Sequence, residues 1–107
     1  KPVFFYFMNR ANSYFQLSHF KEATYDYSQA LRLNPFDIRL YNNRGNAYYA
    51  HGDLEAALAD YKKMLRLDKN NRNACNNIAI VYGRLGDAVR ARAYRKRVNK
   101  IDAAHAG

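Results

Sequence analysis

The stretch that decides the fold runs from Tyr41 to Asp68 and reads YNNRGNAYYAHGDLEAALADYKKMLRLD. Its landmarks are two rings flanking a small residue, a Gly-Asp pair, a second small residue, a third ring and a closing pair: Tyr41, Gly45, Tyr48, Gly52, Asp53, Ala57, Tyr61, Leu67 and Asp68. The corresponding positions 34 residues upstream are Phe7, Ala11, Tyr14, Ser18, His19, Ala23, Tyr27, Leu33 and Asn34, and those 34 residues downstream are Cys75, Ala79, Tyr82, Gly86, Asp87, Ala91, Arg95, Ile101 and Asp102. A fixed period of this length is typical of a stacked-repeat architecture. We therefore predict one domain over residues 1–107, with repeats at 4–37, 38–71 and 72–105.

Apolar residues within each repeat recur at helical spacing, so the predicted fold is all-α. The six expected helices lie at about residues 4–17, 21–33, 38–50, 54–67, 72–85 and 88–101. Asp37 and Asp53 are suitable N-caps, and Gly52 suits a left-handed C-cap. Residues 103–107 are expected to form a short frayed tail.

One position in each repeat is small: Ala11, Gly45 and Ala79. A glycine inside a helix costs about 1 kcal/mol relative to alanine. A close helix crossing at this position would explain why none of the three residues is bulky.

The charge balance is strongly basic, at +9 with a pI near 9.9. Seven Lys or Arg and one acid occur between Arg84 and Lys100. This end is either a solvated terminal face or a docking patch for an acidic protein, nucleic acid or an anionic membrane. The candidate patch residues are Arg90, Arg92, Arg95, Lys96, Arg97 and Lys100. They are expected to spread around the last helix rather than form one stripe, which makes nucleic-acid binding the weaker alternative.

The N-terminal helix begins with an unusually aromatic segment. Phe4, Phe5 and Tyr6 are expected to need cover, and Met8 joins them as a candidate self-association residue, although scattered exposed rings are the alternative. A preceding segment or a second copy of the chain could supply that cover, so self-association through these residues is an alternative function.

Catalytic and metal-binding chemistry has little support. Cys75 is the single cysteine, and its inward position favours a buried, inert thiol. His19, His51 and His105 are far apart, and no His or acidic pair has the spacing of metal ligands. No cofactor and no catalysis are predicted. No segment approaches the roughly 20 apolar residues of a membrane span.

The three copies together resemble the tetratricopeptide repeat, a helix–turn–helix unit, over residues 4–105. The departures are Arg10 and Arg44, where the family usually has leucine, and a closing proline that is present only as Pro35. The resemblance implies a right-handed superhelical array whose concave face is lined by the first helix of each repeat. It also implies a non-catalytic scaffold that holds peptides or helices of other proteins.

The concave face is expected to be rich in asparagine, which offers both a donor pair and an acceptor to a peptide backbone. The candidate partner-binding residues are Asn9, Asn12, Arg39, Asn43, Asn46, Tyr49, Asn73, Asn77 and Arg84. Asn9, Asn43 and Asn77 fall one per repeat, similar to the asparagine ladder of some family members, although simple solvation of this face is the alternative. Together with the basic end, this face suggests a peptide or helix with acidic residues as the partner.

One function of the family is not predicted. Some members hold a C-terminal carboxylate of heat-shock chaperones with two lysines, two asparagines and an arginine. Asn12 and Asn43 match the asparagine positions, but Met8, Asn73 and Asn77 stand where the resemblance places the three cations.

Overall fold

The computed structural model describes residues 3–106, which form six α-helices and no strand. Their bounds are α1 Val3–Gln16, α2 Phe20–Leu33, α3 Ile38–His51, α4 Leu54–Leu67, α5 Arg72–Arg84 and α6 Ala88–Ala106. Each helix packs against the next one along the chain, and α1 also contacts α3. The predicted all-α array of three helical hairpins is confirmed.

Local sequence explains where most of the helices begin. The side chain of Asp37 accepts a hydrogen bond from the backbone N–H of Arg39, and Asp53 does the same for Ala56. Gly52 adopts a left-handed φ of 89°, as predicted. In the first hairpin the corresponding turn position is Ser18, which has a φ of 61°. A side chain at such a φ is strained, so the first turn is less well defined by its sequence than the second.

The last helix is longer than predicted. It continues through Ala103 to Ala106, so the expected frayed tail is wrong for residues 103–106. Alanine has the highest helix propensity, and neither glycine nor proline interrupts this segment. Asp102 also accepts a hydrogen bond from Arg72 at 2.7 Å, which ties the end of α6 to α5. Gly107 lies outside the described residues.

The interior consists of two groups of buried side chains. The first lies among α1, α2 and α3, and the second lies among α4, α5 and α6. Tyr41 packs against both groups and so joins them. A Cβ built at Gly45 would lie 2.7 Å from a ring carbon of Tyr61, which confirms the close approach predicted at this small position.

No helix within residues 3–106 combines the length and the apolar character needed to cross a bilayer.

Candidate functional site

Each of the first two hairpins has an arginine–aspartate ion pair that joins its two helices. In the second hairpin, Arg44 donates from Nε to Asp60 Oδ2 at 2.8 Å and from Nη2 to Oδ1 at 2.6 Å. Its remaining nitrogen, Nη1, donates to Ser28 Oγ at 3.0 Å, so one guanidinium links α3, α4 and α2. Burial raises the pKa of Asp60, and the ion pair with Arg44 opposes this shift.

The first hairpin repeats this arrangement with Arg10 and Asp26, at 2.6 Å and 3.0 Å. Sequence reasoning singled out Arg10 and Arg44 but missed their partners. The available signal was an aspartate 16 residues after each arginine, in two successive repeats.

Two tyrosine–asparagine hydrogen bonds lie on the groove face, which we define as the surface formed by α1, α3 and α5. The Tyr61 hydroxyl donates to Asn46 Oδ1 at 2.6 Å, and the Tyr27 hydroxyl donates to Asn12 in the same way. Burial raises the pKa of Tyr27 to about 12. Because the two asparagine oxygens accept these bonds, Asn12 and Asn46 have a structural role as well as a place on the face.

Two pockets open on the groove face. The first has a volume of about 300 Å³ and is lined by Asn12, Phe15, Gln16, Tyr27, Asn43 and Asn46. The second has a volume of about 190 Å³ and is lined by Asn46, Tyr49, Tyr61, Asn77 and Ile80. The second pocket uses the positions of the first advanced by one repeat. The two pockets differ in chemistry, because Asn46 of the first is replaced by Ile80 in the second and Gln16 has no counterpart among the lining residues.

Asn43 and Asn77 occupy the same position in these two pockets. They are half-buried, and their contacts are weak: Asn77 Nδ2 lies 3.5 Å from Asn42 Oδ1, and Asn42 Nδ2 lies 3.5 Å from Asn43 Oδ1. These distances exceed those of an ordinary N–H···O bond, so both amides retain hydrogen-bonding capacity. Asn9, at the equivalent position in the first repeat, is exposed and lines neither pocket.

The structure places the other predicted groove residues at the edge of this face or off it. Arg84 donates from Nη1 to the Tyr49 hydroxyl at 2.9 Å, which puts a positive charge beside the second pocket. Arg39 is bound to its own N-cap residue, Asp37, at 2.6 Å. Asn73 is exposed, and neither Arg39 nor Asn73 lines a pocket.

The tyrosines of the second helices were missed as groove residues. Tyr27 and Tyr61 recur at core positions of the repeat, and they are almost fully buried, as expected of core residues. Their hydroxyls nevertheless reach the pocket linings.

The aromatic N-terminus exposes less apolar surface than predicted. Met8 is buried, with 9% exposure, so its assignment to a self-association surface is wrong. It lies three residues before Ala11 and therefore shares the inward face of α1. Phe4 is half-buried and stacks on Phe5, and Tyr6 accepts a hydrogen bond from Arg10 at 2.9 Å. Phe5 and Tyr6 are the residues of this predicted set that are exposed.

Cys75 is fully buried, and burial raises the pKa of its thiol. A protonated, inaccessible thiol is a poor nucleophile. Within residues 3–106, no group of three or more His, Cys, Asp or Glu side chains could hold a metal ion.

The chain matches the TPR repeat family model at residues 11–52 and again at residues 45–86. A comparison with curated proteins found no match. Three solved structures with the same fold are MamA (TM-score 0.89, 20% identity), the Sgt2 TPR domain from Aspergillus fumigatus (0.85, 20%) and the first TPR of Spaghetti (RPAP3) bound to the HSP90 peptide SRMEEVD (0.81, 19%).

The alignments cover 94%, 96% and 97% of this chain and 58%, 68% and 94% of the MamA, Sgt2 and Spaghetti chains, respectively. At these identities the likeness shows a shared fold alone. The two family matches are a stronger result, because together they extend over residues 11–86, which is well over half of the sequence. The chain belongs to the tetratricopeptide repeat family.

Proposed function

We propose that this chain is a non-catalytic scaffold that holds a peptide or helix of a partner protein on the groove face. Proteins with this repeat generally mediate protein–protein interactions. The observation that carries the proposal is the pair of pockets one repeat apart. Each pocket is lined by a hydrogen-bonded asparagine and tyrosine and by a second asparagine, Asn43 or Asn77, whose amide makes only long contacts.

The repeat spacing favours an extended ligand. Helices in contact, such as α1 and α3, have axes about 8–10 Å apart. A polyproline II segment rises about 3.1 Å per residue and returns to the same side after three residues, so residues i and i+3 are about 9 Å apart. Two ligand side chains at this spacing would enter the two pockets. The amide-rich first pocket suits a polar side chain, and the second, which contains Ile80, suits an apolar one.

Asn43 and Asn77 are the residues best suited to grip the ligand backbone. A carboxamide presents a donor and an acceptor together, which matches the donor and acceptor of one peptide unit. Such contacts are independent of ligand sequence, so selectivity would come from the pockets and from charge.

Charge favours an acidic ligand. The net charge is +9, and Arg84 lies beside the second pocket. Spaghetti (RPAP3) was solved with the acidic peptide SRMEEVD. We do not propose that this chain binds a terminal carboxylate, because the three positions expected to hold cations for that purpose are occupied by Met8, which is buried, and by the uncharged Asn73 and Asn77.

The test is a peptide-library selection against the native chain, followed by affinity measurements on N43A/N77A. Asn46 is left unchanged, because its loss would leave the buried Tyr61 hydroxyl without its acceptor. A matched control is Q29A/N70A, which removes two carboxamides that line neither pocket. Circular dichroism checks that all three proteins are equally helical.

Two lost hydrogen bonds are worth about 1–3 kcal/mol together, so we expect selected peptides to bind N43A/N77A about 5- to 150-fold more weakly. The control should bind them like the native chain. Equal affinity for the native chain and N43A/N77A would show that the groove face is not the binding site.

A further inference from the structure

One face of α6 corresponds, one repeat later, to the face of α4 that packs against α5. On α6 this face carries basic residues instead of apolar ones. In α4, Tyr61 belongs to the same buried group as Ile78 of α5, and Leu58 and Leu65 pack against that group. One repeat later, the corresponding residues are Arg92, Arg95 and Asn99. The face of α6 that geometrically accepts a following helix is therefore cationic.

Arg92, Arg95, Lys96 and Asn99 have the spacing i, i+3, i+4 and i+7, so they lie on one face of α6 over about 10 Å. The three cations among them share this face, whereas Arg90 and Arg97 lie on another, so the six basic residues of the helix taken together still spread around it. We call these four residues the α6 stripe.

Two of the other cations of α6 are engaged elsewhere. Arg90 pairs with Asp87 at 2.5 Å, and Arg97 donates to the backbone oxygen of Lys69 at 3.3 Å. The acid of this helix, Asp102, is paired with Arg72. The four stripe residues are exposed, and within residues 3–106 none of them forms a salt bridge.

We propose that the α6 stripe docks an acidic amphipathic helix of a partner protein. The partner helix would pack against α6 as α5 packs against α4. The positive charge of the stripe would favour a helix that carries carboxylates at matching spacing. Val89 adjoins the stripe, three residues before Arg92 and seven before Lys96, and its side chain is 75% exposed. An apolar contact within a cationic stripe fits an amphipathic helix better than it fits a phosphate backbone, which offers charge alone.

The probe is a designed helical peptide with Glu at i, i+3, i+4 and i+7, one Leu placed to meet Val89, and Ala elsewhere. A scrambled peptide of the same composition and a duplex DNA oligonucleotide are measured beside it. Fluorescence anisotropy gives the affinities at two salt concentrations, because contacts between exposed charges weaken as salt rises. The variant is R92E/R95E/K96E. The control R32E/R66E/K69E changes the net charge equally at three exposed residues outside the stripe.

We expect the helical peptide to bind the native chain, to lose at least about tenfold in affinity on R92E/R95E/K96E, and to bind the control variant several-fold more tightly than the stripe variant. A peptide with Lys in place of Glu should restore binding to R92E/R95E/K96E. N43A/N77A should bind the helical peptide like the native chain, which separates this result from the groove proposal.

Three outcomes would overturn the proposal. The first is no binding of the helical peptide, and the second is equal binding of the scrambled peptide. The third is loss of DNA binding in R92E/R95E/K96E without any binding of the peptide, which would assign the stripe to nucleic acid instead.

Discussion

The second and third hairpins have the same backbone arrangement, but one has charged and the other apolar side chains at the same interior positions. In the second, Arg44 and Asp60 form a buried ion pair between α3 and α4. In the third, the same two positions hold Ile78, which is fully buried, and Tyr94, which stacks on Tyr82 with ring centroids 5.8 Å apart. The repeat therefore tolerates either a satisfied ion pair or an apolar pair at this point.

The groove positions change together with the interior. Asn46 and Tyr61 of the second hairpin are hydrogen-bonded, whereas the third hairpin has Ile80 and Arg95 at those positions. Arg95 is exposed because no following hairpin covers α6 within the described residues. The same position of the repeat therefore holds a hydrogen-bonded tyrosine where the next hairpin packs against it. It holds an exposed charge on α6, against which no further hairpin packs within the described residues.

The largest effect on stability is expected from Asp60→Ala. It leaves the guanidinium of Arg44, with a side chain 21% exposed, without its buried counter-charge. Breaking a buried pair by removing one partner costs about 3 kcal/mol or more. Urea denaturation followed by circular dichroism measures the loss.

Asp26→Ala is the matched control for this prediction. Arg10 is 41% exposed, so water can solvate the orphaned charge and the loss should be smaller. An equal loss in the two variants would show that burial of the arginine does not set the cost.

A smaller effect is expected when the second hairpin is given the interior of the third, in R44I/D60Y. Both charges are removed together, and Tyr48 occupies the position equivalent to Tyr82, so the new ring has a stacking partner. Ser28 keeps a partner, because its hydroxyl also donates to the backbone oxygen of Thr24 at 2.8 Å. Replacing a buried ion pair by apolar groups is often neutral or stabilising, so the free energy of unfolding should stay within about 1 kcal/mol of the native value or rise. A loss as large as that of Asp60→Ala in the same denaturation experiment would show that the ion pair itself supports the fold.

The smallest effect is expected in the pH dependence. The folded-state pKa of Asp60 lies above the ordinary 3.8 because of burial, so the folded chain takes up this proton before the unfolded chain does. Its contribution to stability therefore rises as the pH falls through the window just above 3.8. Asp87 has the opposite sign: hydrogen bonds from the backbone and side chain of Arg90 lower its pKa, so its contribution is lost as the pH falls below 3.8.

Because R44I/D60Y removes the Asp60 contribution, its stability should fall more steeply with acidification than that of the native chain. Thermal unfolding from pH 6 to pH 3 compares the two slopes. A shallower slope in the variant would mean that the ion pair with Arg44 lowers the pKa of Asp60 more than burial raises it.

Much of the fold was predictable because its signals are local. The landmarks around Tyr41–Asp68 recur in the other repeats, and the caps at Asp37, Asp53 and Gly52 depend on residues within one turn. The length of α6 was not predicted, because the sequence pattern ends near residue 101 while its alanines and the contact between Arg72 and Asp102 continue the helix.

The candidate site was predictable only in part. Asn12, Asn43, Asn46, Tyr49 and Asn77 do line the two pockets. Their pairing with the tyrosines of the second helices could not be read from helical spacing, which relates residues within one helix only. For the same reason, the sequence did not distinguish Met8, which is buried, from its exposed neighbours in α1.

By itself, the sequence determined the number of hairpins, most of their boundaries and the family, because periodic side chains and end caps act within a hairpin. The tertiary structure decided which polar groups satisfy one another across hairpins. Arg44 can reach Ser28 and Asp60 only when three helices meet. The packing of neighbouring helices likewise decides that Asn12 and Asn46 accept bonds from the tyrosines.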